Sequence, residues 1–304
     1  MEHQNRPFVR ELLTTSQVAR AIGVSEASMK RWCDKGMLPA VRTVGGHRRL
    51  PLNGVINFLR QTGHPLVRPE ILGLPATTGT GQTVVAAAVT QFSQAVESGD
   101  EEQVCRLIFN LYLAGHSACD IADRVIGPSM QQVGERWSHG AVHIYQERRG
   151  VECVLRAIHQ LRTALPSVPS NAPYAMGASS EGDPYALPTA LIELVLREAG
   201  WRAESFGTNI PFANLRTAIE QRRPRLFWLS VSYVPDGFDF LSAYADLHEG
   251  ASRCGVALVV GGRALSEDFR RQMTYAAFGD NLRHMVSFAA TLQQQPTLAA
   301  DQPR

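Results

Sequence analysis

Lysine is almost missing from this chain, which has only Lys30 and Lys35 among its 304 residues, and cysteine is sparse. The five cysteines are scattered, are odd in number and form no C-x-x-C pair. This pattern argues against both a disulfide framework and a zinc site. We therefore predict reduced thiols, most of them buried.

Long apolar runs are also missing, although 44% of the residues are hydrophobic. No stretch approaches the length needed to span a bilayer, and the opening residues MEHQNRPFVR contain no apolar signal-peptide core. We predict a cytoplasmic protein with no membrane partner. The sequence also has no nucleophile elbow, no P-loop and no metal-ligand cluster, which argues against an enzyme.

Positive charge is concentrated at one end of the chain. Residues 1–70 hold eleven Lys and Arg against five Asp and Glu, a net charge of +6, whereas the whole chain carries +2. Both lysines fall within this segment. A basic region of this kind favours polyanions through phosphate contacts and counterion release.

The same region has the pattern of two helices and a hairpin. Residues 14–24 predict a first helix, and residues 26–35 predict a short cationic helix for which Ser25 is a suitable N-cap. The run VRTVGGHRR predicts a hairpin around Gly45-Gly46, since such a pair can take the positive φ angles of a tight turn. Residues 52–61 predict a closing helix, so the unit is helix, turn, helix and wing.

The order of residues in this unit resembles the winged helix-turn-helix of the MerR family of transcription regulators, over about residues 14–62. The matching residues follow one another in the family's order: Arg31-Trp32, Gly36-Met37-Leu38, Arg42-Thr43 and Gly45-Gly46-His47-Arg48-Arg49. On helix pattern alone, the alternative is a solvated, charged helical hairpin with no role in DNA binding.

The resemblance implies contact with a double-stranded DNA operator and an association with the nucleoid. We expect Met29, Lys30 and Arg31 to read bases, and the arginines and histidine of the wing to touch mostly the DNA backbone. The predicted DNA-contacting residues are Thr15, Ser16, Met29, Lys30, Arg31, Lys35, Arg42, Thr43, Gly46, His47, Arg48 and Arg49.

The rest of the chain predicts a multidomain α and α/β protein. Residues 63–82 are too irregular for an element and suggest a linker, and residues 83–165 predict a four-helix bundle with an interruption at Gly127-Pro128. In residues 172–293 five strands alternate with five helices, which predicts a doubly wound, five-stranded parallel sheet. Residues 294–304 suggest a disordered tail.

The predicted boundaries within the sheet domain follow the hydrophobic pattern. The strands are expected at residues 174–178, 202–206, 226–232, 257–260 and 275–278. The helices are expected at residues 187–199, 212–222, 238–253, 265–272 and 282–292.

A helical bundle followed by such a sheet is the order found in cobalamin-binding modules. This resemblance implies a sheet of the flavodoxin-like, cobalamin-binding type. With a MerR-type head in front, the whole chain resembles the light-responsive repressors that use adenosylcobalamin and control carotenoid genes. The resemblance implies a repressor that works as a homo-oligomer on repeated operators. Small residues at the ends of the third and fourth strands would leave room for a bulky tail or nucleotide: Ser230, Ser232, Gly261 and Gly262.

Two signatures of these repressors are altered. In the loop after the first strand, the family's Glu-x-His-x-x-Gly becomes Glu181, Asp183 and Ala186, and cobalt prefers imidazole nitrogen to a carboxylate. In the bundle, the family's Trp followed nine residues later by Glu-His becomes Trp137 with Glu147-Arg148. We predict no protein metal ligand.

Several alternatives remain open for this half of the chain. It binds cobalamin in a histidine-independent mode, it binds an altered ligand, or it binds no small ligand and serves as an oligomerisation platform. A regulatory protein partner is a further alternative. A corrinoid-carrier enzyme is disfavoured, because such carriers depend on the missing histidine.

Overall fold

A computed structural model describes residues 12–79 and 85–294 of the chain. It divides into two units, residues 1–167 and 168–304. Residues 295–304 of the predicted tail, residues 80–82 of the predicted linker and residues 83–84 at the predicted start of the bundle lie outside the described residues.

The first unit begins with a winged helix-turn-helix, which we call the head. Its three strands form an antiparallel sheet in the order β1-β3-β2. The elements are β1 Leu12–Thr14, α1 Thr15–Ile22, α2 Glu26–Asp34, β2 Val41–Arg42, β3 Arg48–Pro51 and α3 Leu52–Thr62. The helices and the hairpin were predicted, whereas β1 was not.

The start of α1 shows why β1 escaped prediction. Thr14 is both the last residue of β1 and the N-cap of α1, so the strand passes directly into the helix. Thr14 Oγ1 accepts from Gln17 N at 3.0 Å, and Thr14 N donates to Gln17 Oε1 at 2.9 Å, forming a capping box.

The segment after the head is packed on the rest of this unit. Residues Pro69–Leu72 form one turn of 3₁₀ helix, so the prediction that this segment contains no regular element is wrong. Leu72 and Leu74 are buried. Gly79 N donates to Asn110 Oδ1 at 2.7 Å, which fastens the segment to the bundle.

The bundle contains the four predicted helical segments. They are α4 Val85–Ser98, α5 Glu101–Leu113, a third helix running through α6 Ala118–Ile121, a π-helical turn Ala122–Ile126 and α7 Gly127–Ser138, and α8 Ile144–Ala164. The predicted interruption at Gly127-Pro128 is this π turn, in which Gly127 N donates to Ala122 O. Since proline lacks an N–H group and crowds the preceding turn, a widened turn accommodates it without ending the helix.

The second unit is a parallel sheet in the order β5-β4-β6-β7-β8. This is the flavodoxin-like order of a doubly wound fold, as predicted. The strands are β4 Tyr174–Ser179, β5 Arg202–Ser205, β6 Leu226–Ser230, β7 Ala257–Gly261 and β8 Ala277–Gly279. The helices are α9 Ala186–Glu198, α10 Phe212–Arg222, α11 Phe240–Arg253, α12 Glu267–Arg270 and α13 Leu282–Gln294.

Each face of this sheet carries its own hydrophobic core. Alternate residues of β6 divide between the two, with Phe227 and Leu229 in the core shared with α10 and α11, and Leu226 and Trp228 in the core shared with α9 and α13. Because the strands are parallel, their carboxyl ends meet at one edge of the sheet, and doubly wound proteins bind ligands at this edge.

Among the helices of residues 12–79 and 85–294, none has the length and apolar character needed to cross a membrane.

Candidate DNA interface and the carboxyl edge of the sheet

The second helix of the head, α2, presents positive charge to solvent. Ser25 Oγ accepts from Ser28 N at 3.2 Å and caps the helix, as predicted. Lys30, Arg31 and Lys35 are exposed. Within the described part of the chain, none of these three side chains forms an ion pair, so their charge is available to a polyanion.

Met29 lies on the opposite side of α2. It is fully buried, with 0% of its surface exposed, in the core that also contains Leu38 and Ile56. The prediction that Met29 reads bases is wrong, because its side chain cannot reach a base edge without leaving this core. Its apolar character serves the head's own packing.

Three aromatic rings support α2 from within the head. Trp32 lies 4.9 Å from both Phe58 and His64, measured between ring centroids, and Phe58 stacks on His64 at 5.6 Å. These contacts join α2 to α3 and to the segment that follows it. Both partners of Trp32 lie far along the chain, so no local sequence pattern reveals these contacts.

The wing is a tight hairpin between β2 and β3. Gly46 N donates to Thr43 O at 2.8 Å, and Thr43 N donates to His47 O at 2.9 Å. Gly46 has φ 77°, and within the pair Gly45-Gly46 it alone takes a positive φ. Arg42, Thr43 and His47 are exposed.

Arg48 is engaged within the protein. Its Nη2 lies 2.5 Å from Asp34 Oδ1, and its Nη1 donates to Lys30 O at 3.2 Å. Its side chain is 21% exposed. Arg48 therefore fastens the wing to the end of α2, and this geometry does not fit the phosphate contact predicted for it.

The remaining predicted DNA residues of the head are partly covered. Arg49 is half-buried and its Nη1 donates to Arg48 O at 3.2 Å. Thr15 and Ser16 are half-buried in the first turn of α1.

In the second unit, Asp183 lies at the carboxyl edge of the sheet, in the loop after β4. Tyr185 N donates to its Oδ1 at 2.9 Å, and Ser232 N donates to its Oδ2 at 2.6 Å. Asp183 is 0% exposed. Burial raises the pKa of Asp183, while the N–H groups of Tyr185, Ser232 and Tyr233 and the guanidinium of Arg263 act in the opposite direction.

The neighbouring residues of this loop are also held by the protein itself. Glu181 Oε2 accepts from Phe212 N at 3.2 Å, at the start of α10, and Gly182 N donates to Asn209 Oδ1 at 2.7 Å. A Cβ built on Gly182 would lie 2.2 Å from Pro235 Cγ, so the loop after β6 lies directly against this glycine.

The small residues at the ends of β6 and β7 also serve internal packing. A Cβ on Gly262 would lie 2.2 Å from Val231 O, and one on Gly261 would lie 2.9 Å from Gly279 O. The prediction that these glycines leave room for a bulky tail is wrong at those positions, because backbone atoms occupy the space. Ser232 N is bonded to Asp183, whereas the buried Ser230 Oγ has no hydrogen-bond partner among the described residues.

In the bundle, the altered signature lies at the α7–α8 connection. Trp137 is 48% exposed near the end of α7. On α8, Arg148 Nε lies 3.6 Å from Glu147 Oε2. In residues 12–79 and 85–294 there is no group of three or more His, Cys, Asp or Glu side chains placed to hold a metal ion.

Two regions of the chain match known domain families. Residues 12–63 match the model of a helix-turn-helix domain, and residues 88–162 match that of a B12 binding domain. The chain thus combines a region that matches helix-turn-helix domains with a region that matches B12 binding domains.

Two corrinoid proteins are similar to this chain over about two thirds of its length. Trimethylamine corrinoid protein 2 of Methanosarcina mazei is 17% identical over 202 residues, which are 66% of this chain and 93% of that protein. The monomethylamine corrinoid protein of Methanosarcina barkeri has the same fold with a TM-score of 0.58 and 18% identity, over 69% of this chain and 100% of that one. The predicted fold class is confirmed.

These matches imply a corrinoid cofactor, which a protein side chain would hold at the loop after β4. At the position of the missing lower ligand, both carboxylate oxygens of Asp183 already accept backbone N–H groups, and the side chain is inaccessible. Two buried hydroxyls at this edge, Ser180 Oγ and Ser230 Oγ, lack a hydrogen-bond partner among the described residues. The residues present therefore do not fit a corrinoid held by a protein ligand from below.

Proposed function

We propose that this protein is a transcription regulator, acting as a repressor, that binds a duplex operator through its head. The observation that carries the proposal is the exposed positive charge of Lys30, Arg31 and Arg42 around a helix whose other side is buried. The match of residues 12–63 to a helix-turn-helix domain supports it. The MerR type rests on the order of residues from Arg31 to Arg49, and the repressor role rests on the resemblance of the whole chain to the light-responsive repressors.

The proposed docking places α2 in the major groove. Arg31 and Lys30 face the base edges, where arginine can bind guanine through two hydrogen bonds. On the wing, Arg42 and His47 contact phosphates and set the register of the protein on the duplex. Arg48 contributes indirectly, because its bonds to Asp34 and Lys30 O fix the wing relative to α2.

We further propose that the protein works as a homo-oligomer. A single head covers too short a site for specific binding, and two-fold operators require paired heads at a fixed spacing. The regulatory input would then reach the head from a protein partner or from a ligand other than a corrinoid held from below.

The operator and the oligomer are tested together. We expect the full chain to enrich one duplex family from a random-sequence library, and a two-fold or direct repeat to emerge within it. Sedimentation of the protein with the enriched duplex should give a complex containing at least two chains. A complex with one chain would contradict the oligomer, and a lack of enrichment would contradict sequence-specific binding.

A further inference from the structure

The strongest unexplained feature of the second unit is the tryptophan in its central strand. Trp228 is 1% exposed and lies beside Gly177 in the register of β4 and β6. A Cβ built on Gly177 would lie 2.3 Å from Cδ2 of the indole ring. The indole ring and the backbone oxygen of Trp228, which would also lie 2.3 Å away, therefore take the space that any larger residue at position 177 would need.

A hydrogen bond holds this ring against the helix that follows β4. Trp228 Nε1 donates to Thr189 Oγ1 at 2.8 Å, and Thr189 Oγ1 lies 3.0 Å from Ser205 Oγ. Thr189 is buried on α9. Trp228 lies two residues before the end of β6. At this level of the sheet, the protein's own side chains thus fill the layer between the sheet and α9.

Asp183 closes the edge next to this filled layer. Its two carboxylate oxygens join the loop after β4 to the loop after β6, through Tyr185 N and Ser232 N. Arg263 adds a second link, since its Nε donates to Ser232 O at 3.3 Å and its guanidinium lies 4.8 Å from the Tyr185 ring centroid. Both loops are therefore fixed by residues that follow three different strands.

We infer that Asp183 and Trp228 together convert the corrinoid-type cleft of this domain into a closed scaffold. Asp183 ties two loops across the carboxyl edge, and Trp228 fills the space behind them. The chain then carries a B12-binding fold that retains no corrinoid. This inference concerns the second unit alone and does not depend on whether the head binds DNA.

The chemistry of the side chain at position 183 distinguishes a residue that joins two loops from one that merely replaces a cobalt ligand. A carboxylate offers an acceptor oxygen to each of the two N–H groups, whereas a neutral imidazole has one acceptor nitrogen. Asp183→His should therefore leave one buried N–H unpaired rather than restore a cobalt ligand. Asp183→Asn keeps one of the two acceptor oxygens, and Asp183→Ala removes both.

The experiment uses the full-length protein and its Asp183→Asn, →Ala and →His variants. We expect Asp183→Ala to lower the melting temperature by about 5 °C or more and Asp183→Asn to lower it by less. Amide hydrogen exchange should become faster at Tyr185 and Ser232 in the alanine variant. Asp236→Asn is the matched control, because Asp236 is an exposed carboxylate in the loop after β6, the loop that also contains Ser232, and its substitution should change neither quantity.

Corrinoid retention is measured on the same samples. After incubation with adenosylcobalamin in the dark and desalting, the wild type and the Asp183→His variant should both lack corrinoid absorbance. Retained absorbance in either protein would overturn the closed scaffold. Unchanged exchange at Tyr185 and Ser232 in Asp183→Ala would overturn the tie, and the milder asparagine variant gives the same readout if the alanine variant does not fold.

Discussion

Gly262→Ala is expected to unfold the sheet domain, with a loss of at least about 4 kcal/mol in the free energy of unfolding. Gly262 has φ 121°, and its Cβ would lie 2.2 Å from Val231 O. That oxygen cannot move away freely, because it accepts from Ala264 N, while Val231 N donates to Gly261 O. The alanine variant is therefore destabilised in two ways. Its own φ angle is strained, and its Cβ clashes with the backbone oxygen of Val231.

A matched variant separates the clash from the loss of a flexible glycine. Gly255 also has a positive φ, 66°, but a Cβ there meets nothing within 4 Å. Gly255→Ala should cost only about 1–2 kcal/mol, which is the ordinary cost of a left-handed residue. Thermal unfolding of the two variants checks this, and equal losses of stability would contradict the steric argument.

Met29→Ala should destabilise the head by about 2–5 kcal/mol, since truncation of a fully buried side chain leaves a cavity. Lys30→Ala, one residue along the same helix, changes an exposed side chain and should leave stability within about 0.5 kcal/mol. Lys30→Ala should nevertheless weaken binding to DNA. Denaturant unfolding and duplex binding of both variants are the measurements.

The pair of variants also decides the role of Met29. If Met29→Ala weakened DNA binding while leaving the unfolding curve unchanged, Met29 would contact bases after all. We expect the reverse, with DNA binding lost only to the extent that the head unfolds.

The sheet domain was the most predictable part of the chain. Its strands and helices alternate in hydrophobic pattern, and α10 Phe212–Arg222 has the predicted bounds. In contrast, residues 265–272 were predicted as a helix and contain only the single turn Glu267–Arg270. Short elements escape periodicity because they contain too few residues to establish it, as β1 Leu12–Thr14 also shows.

The sequence predicted which residues belong to the candidate sites, but it did not predict the contacts that those residues make. Sequence marked Arg48 and Asp183 as functional, yet each bonds to a residue that only the fold brings near, Asp34 for Arg48 and Ser232 for Asp183. The strand order of the sheet places Ser232 beside the loop after β4, and no local pattern reveals that pairing. Met29 was misjudged for a different reason, since an amphipathic helix has one buried face and Met29 lies on it.

The central claim is that the head binds duplex DNA through its exposed cations, and the salt dependence of binding tests it most directly. The affinity of the full chain for its enriched duplex should fall steeply as salt rises from about 50 to about 200 mM, linearly in the logarithms of both quantities. Arg42→Ala should reduce the magnitude of that slope by about 0.9, because one phosphate contact is lost. Arg48→Ala should weaken binding with little change in slope, since Arg48 is held by Asp34. Binding that does not depend on salt, or that Arg42→Ala leaves unchanged in both affinity and slope, would contradict the account.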